Sequence, residues 1–269
     1  GYLITPEVLP YGEYSLVEIQ APYGYALDKT PVAFSVSLEN AEKENSLTIV
    51  KVEKQNTAQK GKISVRKTGD IFTSVATASS AYTNENDEMI VNPTTYTPVF
   101  ADGDLSGAVF QVIAVEDIVT LDGTTRAYAG DVVSEITTDE NGYAETEPLY
   151  LGKYEVREIK APYGYVLNNE PKDVELTYAG QEFEVRDTVN TAFENEYQSV
   201  EISLSKVMEN DKLFGIYGEN CYTSVRFGLF AAEDITAADG TVIPADGLLS
   251  EVSLDEDMTC LLYTSDAAD

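Results

Sequence analysis

Histidine and tryptophan are absent from this 269-residue chain, cysteine occurs twice, and cations are scarce, with 17 Lys+Arg against 47 Asp+Glu. Each shortage excludes something. Without imidazole there is no Ser-His-Asp or Cys-His catalysis, and no zinc or haem site built on histidine. A formal net charge of −30 is repelled by phosphate backbones and by anionic membrane surfaces, so nucleic acid is not an expected partner and direct membrane insertion is not an expected mode. Two cysteines, Cys221 and Cys260, do not make a disulfide framework. No run approaches the roughly 18 apolar residues of a membrane span, and Gly1 is not followed by the basic and apolar regions of a signal peptide. Nothing implies a cofactor or a metal. What is present is enough apolar residue for a core, 43% of the chain, which is not a composition that leaves a chain disordered. The length suits about two domains.

Self-similarity organises the rest. Residues 9–27, LPYGEYSLVEIQAPYGYAL, match residues 149–167, LYLGKYEVREIKAPYGYVL, at a spacing of 140. GKISVRKTGD (61–70) matches VEISLSKVME (200–209) at 139, and FQVIAVEDIVTLDGT (110–124) matches FGLFAAEDITAADGT (227–241) at 117. The shorter third spacing means that about 22 extra residues lie between Lys67 and Phe110. That stretch, roughly 72–104, is rich in Ser, Thr and Asn and has no Lys or Arg, so it reads as a surface insertion or hairpin. The expected organisation is the end of a first repeat over 1–59, a complete repeat over 60–198, and the start of a third over 199–259. The chain then reads as part of a longer tandem array.

Seven segments alternate with period two and are rich in Val, Ile, Tyr and Thr: 61–67, 108–115, 132–137, 153–159, 173–178, 182–186 and 200–206. Turn signals at Asp122-Gly123, Asn141-Gly142 and Ala179-Gly180 separate them. No long helical period is present. The expected fold class is all-β, a tandem array of Greek-key β-sandwich domains.

Three polar residues interrupt the apolar phase. The inward phase of 61–67 runs Ile63, Val65, Lys67; that of 153–159 runs Tyr154, Val156, Glu158; that near the repeat end runs Phe193, Asn195, Tyr197. Ser64, Arg66, Glu155 and Arg157 mark the outward face. Tyr14, Leu16, Glu18 and Ile202, Leu204, Lys206 repeat the Glu and Lys patterns. Burying such groups is costly unless they satisfy one another. Burial in general pushes a lysine toward its neutral amine and a glutamate toward its protonated acid. A neutral amine is a nucleophile, and a protonated acid can polarise a carboxamide. Lys67 could attack the Asn195 side-chain carbonyl while Glu158 shuttles protons and ammonia leaves. The product is an isopeptide cross-link, with proximity in the folded core supplying the rate. A buried Lys–Glu ion pair beside an Asn amide fits the same phase.

The pattern Leu-x-x-Gly-x-Tyr-x-Val/Leu-x-Glu-x-x-Ala-Pro-x-Gly-Tyr-x-Leu occurs twice, with a Lys strand upstream and an Asn downstream. It resembles the B-type repeat of collagen-adhesin stalks, the prealbumin-like or SpaA-type repeat of Gram-positive pilins, over essentially all of 1–259. The resemblance implies a prealbumin-like (inverse Ig-like) sandwich and a self-formed isopeptide bond. Its roles fall on Lys67, Asn195 and Glu158. Glu18 and Asn56 are the counterparts in the first repeat, and Lys206 is the counterpart in the third. Asn190 also lies in the final segment; Asn195 is preferred because Asn56 to Lys67 and Asn195 to Lys206 are the same spacing.

A cross-link between first and last strands suits a stalk or spacer of a cell-wall-anchored adhesin or pilin, extracellular and not an enzyme beyond one self-directed turnover. Its partners are then the neighbouring repeats of the same chain. Two other functions fit the same sequence. One is an adhesin module whose insertion contacts a host extracellular-matrix protein or glycan; the other is an accessory β-sandwich of a secreted hydrolase. The Ala-Pro-Tyr-Gly-Tyr block reads as a turn with edge-covering tyrosines, in preference to a sugar platform. Asp102-Gly-Asp104 with Asp87 and Glu88 misses the EF-hand spacing and reads as solvated. Leu9-Pro-Tyr-Gly-Glu13 resembles a sortase signal but lacks the Thr-Gly ending, the hydrophobic span and the basic tail. The final ten residues, CLLYTSDAAD (260–269), resemble an in-frame translation of a transposon-end sequencing adapter, and on that reading Cys260 is not native.

Overall fold

The computed structural model describes residues 9–37, 42–44, 47–205, 225–253 and 259–264, of which 42–44, 47–49, 205 and 259–264 are described in backbone only. Lys206 and Cys221 lie outside the described residues. Among the described residues every regular element is a strand, as the period-two patterning requires.

Two compact units are present, each assembled from separate stretches. The first takes in Gly1–Arg66, Gly107–Lys160 and Asn169–Ala192; the second takes in Lys67–Ser106, Ala161–Asn168 and Phe193–Asp269. In the first, an antiparallel sheet runs in the spatial order Val132–Thr137, Val109–Ala114, Gly152–Lys160, Lys172–Leu176. One face carries the core: Phe110, Val112, Ala114, Tyr154, Val156, Val174 and Leu176 are all buried. Burying each large apolar side chain of this kind contributes roughly 1.5–3 kcal/mol. Opposite this face Ile63 and Val65 are fully buried at the start of the long strand Ile63–Ala78, which Tyr143–Glu145 flanks. Two facing apolar layers make the β-sandwich.

In the second unit the rest of Ile63–Ala78 pairs with Thr95–Asp104. A short hairpin, Ala81–Thr83 with Met89–Val91, lies between them in sequence. The insertion is therefore a β-ribbon. Thr95–Asp104 meets Leu248–Ser253 in parallel, and Leu248–Ser253 pairs with Arg226–Phe230.

The sequence repeat is also a repeat of hydrogen bonds. Gly12–Leu16 pairs with Val32–Val36 from Gly12↔Val36 to Leu16↔Val32. Gly152–Lys160 pairs with Lys172–Leu176 from Gly152↔Leu176 to Val156↔Lys172, the same register one period on. The Tyr14 hydroxyl donates to the Pro10 carbonyl at 2.8 Å, and the Tyr154 hydroxyl donates to the Tyr150 carbonyl at 2.6 Å. The third block copies the second equally closely. Val109–Ala114 on Val132–Thr137 shifts register between Val112 and Ile113, and Arg226–Phe230 on Leu248–Ser253 shifts at the equivalent Leu229 and Phe230.

Several local expectations are corrected. Residues 182–186 do not form a strand; Lys60 takes up their backbone instead. The Lys60 N–H donates to Glu184, and the Lys60 carbonyl accepts from Arg186. The buried Gln59 amide, in turn, donates to Gly180 and Phe183. A loop held by a buried side chain does not need a ladder. Ser64 is buried, not outward, because Asn190 covers it: its hydroxyl donates to Asn190 Oδ1 at 2.6 Å. Tyr197, expected inside, is 44% exposed, having passed the end of its strand. In the partial repeats Leu16 and Ile202 are also exposed, each on what is, among the described residues, a two-stranded sheet. Val200–Ser205 pairs with Thr259–Thr264, a strand that includes Cys260.

Candidate functional site

Lys67 lies on the long strand where the odd-numbered positions turn inward. Ile63, Val65, Lys67 and Gly69 are buried while Arg66 is exposed. Lys67 itself is 0% exposed and its Nζ is sealed from solvent. Its carbonyl accepts from the Leu105 N–H at 3.0 Å, which ties the site to the end of the ribbon.

Asn195 closes the strand Val189–Asn195, which pairs with the Lys67 strand. Phe193 and Asn195 are buried and Glu194 is exposed, the same period-two logic. The Asn195 Oδ1 is likewise sealed from solvent. The two strands run in the same direction, since contacts advance together along them. Val189 N–H donates to Lys62 and the Thr191 hydroxyl to Ser64, at 2.9 and 2.8 Å. Gly69 explains how the backbones come so close: a Cβ there would stand 2.4 Å from the Asn195 carbonyl oxygen and 2.8 Å from Leu105 Cδ1. This glycine was not singled out from sequence, although a residue without a side chain at an inward position was a visible signal.

Glu158 belongs to the first unit. It sits on Gly152–Lys160 opposite Phe110 and follows Tyr154 and Val156 on the buried face. The register slips between Val109 and Phe110, beside it. Lys67, Glu158 and Asn195 are thus all buried at the positions where the apolar phase calls for a hydrophobic residue. Asn190 is not: it is exposed, and its amide oxygen is engaged by Ser64.

Glu18 and Asn56, which align in sequence with Glu158 and Asn195, are in contact. Both Glu18 oxygens accept from the Asn56 amide, at 2.8 and 2.7 Å, and the same amide donates to the Ala26 carbonyl at 3.2 Å. The Asp28 N–H also donates to Glu18. Both residues are half-buried.

Around these residues the Ala-Pro-Tyr-Gly-Tyr blocks form matching turns. Tyr25 N–H donates to Pro22 and Tyr165 N–H to Pro162. Gln59 N–H donates to Gly24 and Gln198 N–H to Gly164. Gly24 and Gly164 have φ of 83° and 88°, the left-handed region that glycine enters at least cost. Tyr163 is fully exposed, whereas the Tyr165 hydroxyl donates to the Asp70 carbonyl at 2.6 Å. Burial pushes the Tyr165 phenol up to about 12, with Tyr197 and Asp70 adding to the shift. Burial alone does the same to Tyr154, also to about 12. Neither phenol is a base at neutral pH.

A second Lys–Glu pair lies part-buried in the first unit. Lys62 Nζ meets Glu145 Oε1 at 2.6 Å, and Tyr143 and Thr188 hydroxyls donate to the other oxygen. The Glu145 hydrogen bond holds Lys62 above its ordinary value, and the Lys62 hydrogen bond holds Glu145 below its own. Both stay charged, so this lysine is not a nucleophile. Among the described residues no group of three His, Cys, Asp or Glu is placed to hold a metal.

The chain matches the SpaA prealbumin-like fold domain over residues 1–52 and 100–191. It belongs to that family. The likeness carried by the Glu-Ala-Pro-Gly-Tyr block is borne out, and with it the prealbumin-like sandwich. The matched segments include Glu18 and Glu158 and leave out 53–99, which holds Lys67 and most of the ribbon. The trypsin-resistant surface T6 protein of Streptococcus pyogenes serotype M6 is 28% identical over 94 residues, 35% of this chain and 16% of that protein. This SpaA-type chain therefore spans a small part of the length of the curated relative it matches. Among solved structures, the TIE protein of Bacillus anthracis aligns at 21% identity over 95% of this chain and 34% of its own, with a TM-score of 0.49. The full-length major pilin SpaD of Corynebacterium diphtheriae aligns at 18% over 54% and 32%, with a TM-score of 0.31.

Proposed function

We propose that this SpaA-type chain is a stalk or spacer module of a Gram-positive surface adhesin or pilin, displayed at the cell wall. Its repeats are stiffened by self-formed isopeptide bonds. In the complete repeat, proposed to span 60–198, the Lys67 neutral amine attacks Cγ of Asn195. The new C–N bond replaces the bond to Nδ2, which leaves as ammonia. Glu158 carries the proton from the amine to the leaving group. Atoms balance with no oxidant, metal or cofactor, and the chain turns over once.

The observation that carries this reading is the burial of all three side chains. Exposures of 0, 1 and 2% for Lys67, Glu158 and Asn195 put three polar groups where a sandwich domain gains most from apolar ones. The pairing of the Lys67 and Asn195 strands supports it, as does the Glu18–Asn56 bond in the first repeat. The exposed Asn190 supports the choice of Asn195.

Intact mass spectrometry tests the proposal on the parent chain and on Glu158→Ala. The parent should be lighter than its sequence by one ammonia, and the variant should have full mass. Full mass in both would leave a buried polar cluster and remove the cross-link from the function.

A further inference from the structure

One hairpin turn occurs twice in the chain and reaches a preceding block each time. In the turn after Ile118–Val119, the Thr120 N–H donates to Thr124 and the Gly123 N–H to Thr120. In the turn after Ile235–Thr236, the Ala237 N–H donates to Thr241 and the Gly240 N–H to Ala237. Gly123 and Gly240 have φ of 81° and 86°, and Asp122 and Asp239 cap the two turns through their Oδ1 atoms. Within the first unit, the Asp122 N–H of this turn donates to the Tyr25 hydroxyl of the first repeat at 3.3 Å.

Within the second unit the equivalent turn meets the ribbon. Ala238 and Asp239 N–H groups donate to the Phe72 and Thr73 carbonyls at 3.0 and 3.1 Å. The Val75 N–H donates back to Thr241 Oγ1 at 2.9 Å. Leu248, just beyond, bridges Thr95 on the other ribbon strand. The ribbon is built to receive these bonds. Its ladder shifts register between Phe72 and Ser74, and a bulge of this kind frees backbone groups for other partners. One alternative function makes this ribbon a site for an outside ligand, yet its base is already occupied.

We propose that the 72–104 insertion is a strut between successive repeats, a receiving edge for the Asp239-Gly240-Thr241 turn of the repeat that follows. The strut rests on the tandem-module reading but not on the cross-link. Its recognition elements are the backbone geometry of the turn and one threonine hydroxyl, so a following repeat that carries the Asp-Gly-Thr turn can be held. A tandem repeat without the insertion would have only a contact of the Asp122–Tyr25 kind at the corresponding junction.

Amide hydrogen exchange by NMR on the full chain tests the strut, with the intact mass of each sample read alongside so that loss of the cross-link is seen separately. In the parent, the Val75, Ala238 and Asp239 amides should exchange slowly. Replacing 72–104 by a short turn should remove protection at Ala238 and Asp239 while the Arg226–Phe230 and Leu248–Ser253 ladder stays protected. Thr241→Val should remove protection at Val75, and this variant decides the matter if the deletion also loses the ladder. Fast exchange at these amides in the parent, or unchanged protection in Thr241→Val and the deletion, would overturn the proposal.

Discussion

Lys62 and Lys67 are five positions apart and on opposite phases of one stretch of chain, and that single difference decides their chemistry. Lys62 faces out, meets Glu145 and stays charged; Lys67 faces in and is sealed. The sign of the pH dependence follows from the Lys62–Glu145 pair. Glu145 is held below 4.5 in the folded chain, so its contribution is complete above that value and is lost as pH falls through the lower folded value. Lys62 is held above 10.5, so its contribution is lost only as pH rises past that value. Thermal melts should find Glu145→Gln less stable than the parent at neutral pH, with the gap closing as the pH drops below 4.5. A gap that persists in acid would mean that Glu145 acts through packing. The burial of Lys67, Glu158 and Asn195 was legible in the sequence because each is a polar residue on an apolar phase. The burial of Ser64 was not, because its cover, Asn190, is more than a hundred residues away in the chain.

Strand phase was also legible at the level of elements, but strand extent was not. The Lys67 strand was expected to end at 67 and continues to Ala78, because the insertion supplies a partner that local pattern does not reveal. Residues 182–186 have the composition of a strand and are a loop, because Gln59 and Lys60 take their backbone groups. Gly69 is the element-level constraint. A methyl group there meets backbone at 2.4 Å, and that backbone cannot move without moving Asn195. Gly69→Ala should cost about 1–3 kcal/mol in urea unfolding and should leave a fraction of molecules at full mass, their cross-link unformed. Gly107→Ala is the control. Its φ of 82° is costly for alanine, but no atom lies within 4 Å of the added carbon. It should lose roughly 1–2 kcal/mol with the mass unchanged. Equal cross-linking in the two variants would separate Gly69 from the reaction.

Load on the whole molecule is expected to pass through the Lys67 and Asn195 strands. Because the two run in the same direction, tension applied at the start of one and the end of the other shears them and loads every bond between them at once. With the isopeptide bond in place, the chain between Lys67 and Asn195 is bypassed. In single-molecule pulling, the parent should show no extension from that segment, whereas Glu158→Ala should release it in one step. Release from both would mean that no covalent bond bridges the segment. The repeat spacing is visible in the sequence, while the ribbon's contact with the Ala238–Thr241 turn is not, because the ribbon offers only backbone groups to it. The ribbon has one more consequence, for digestion. From Thr68 to Thr125 the chain has no Lys or Arg, so a protease that cuts after basic residues finds nothing to cleave on this exposed projection. One that cuts after aromatic residues finds Tyr82, 55% exposed near its tip.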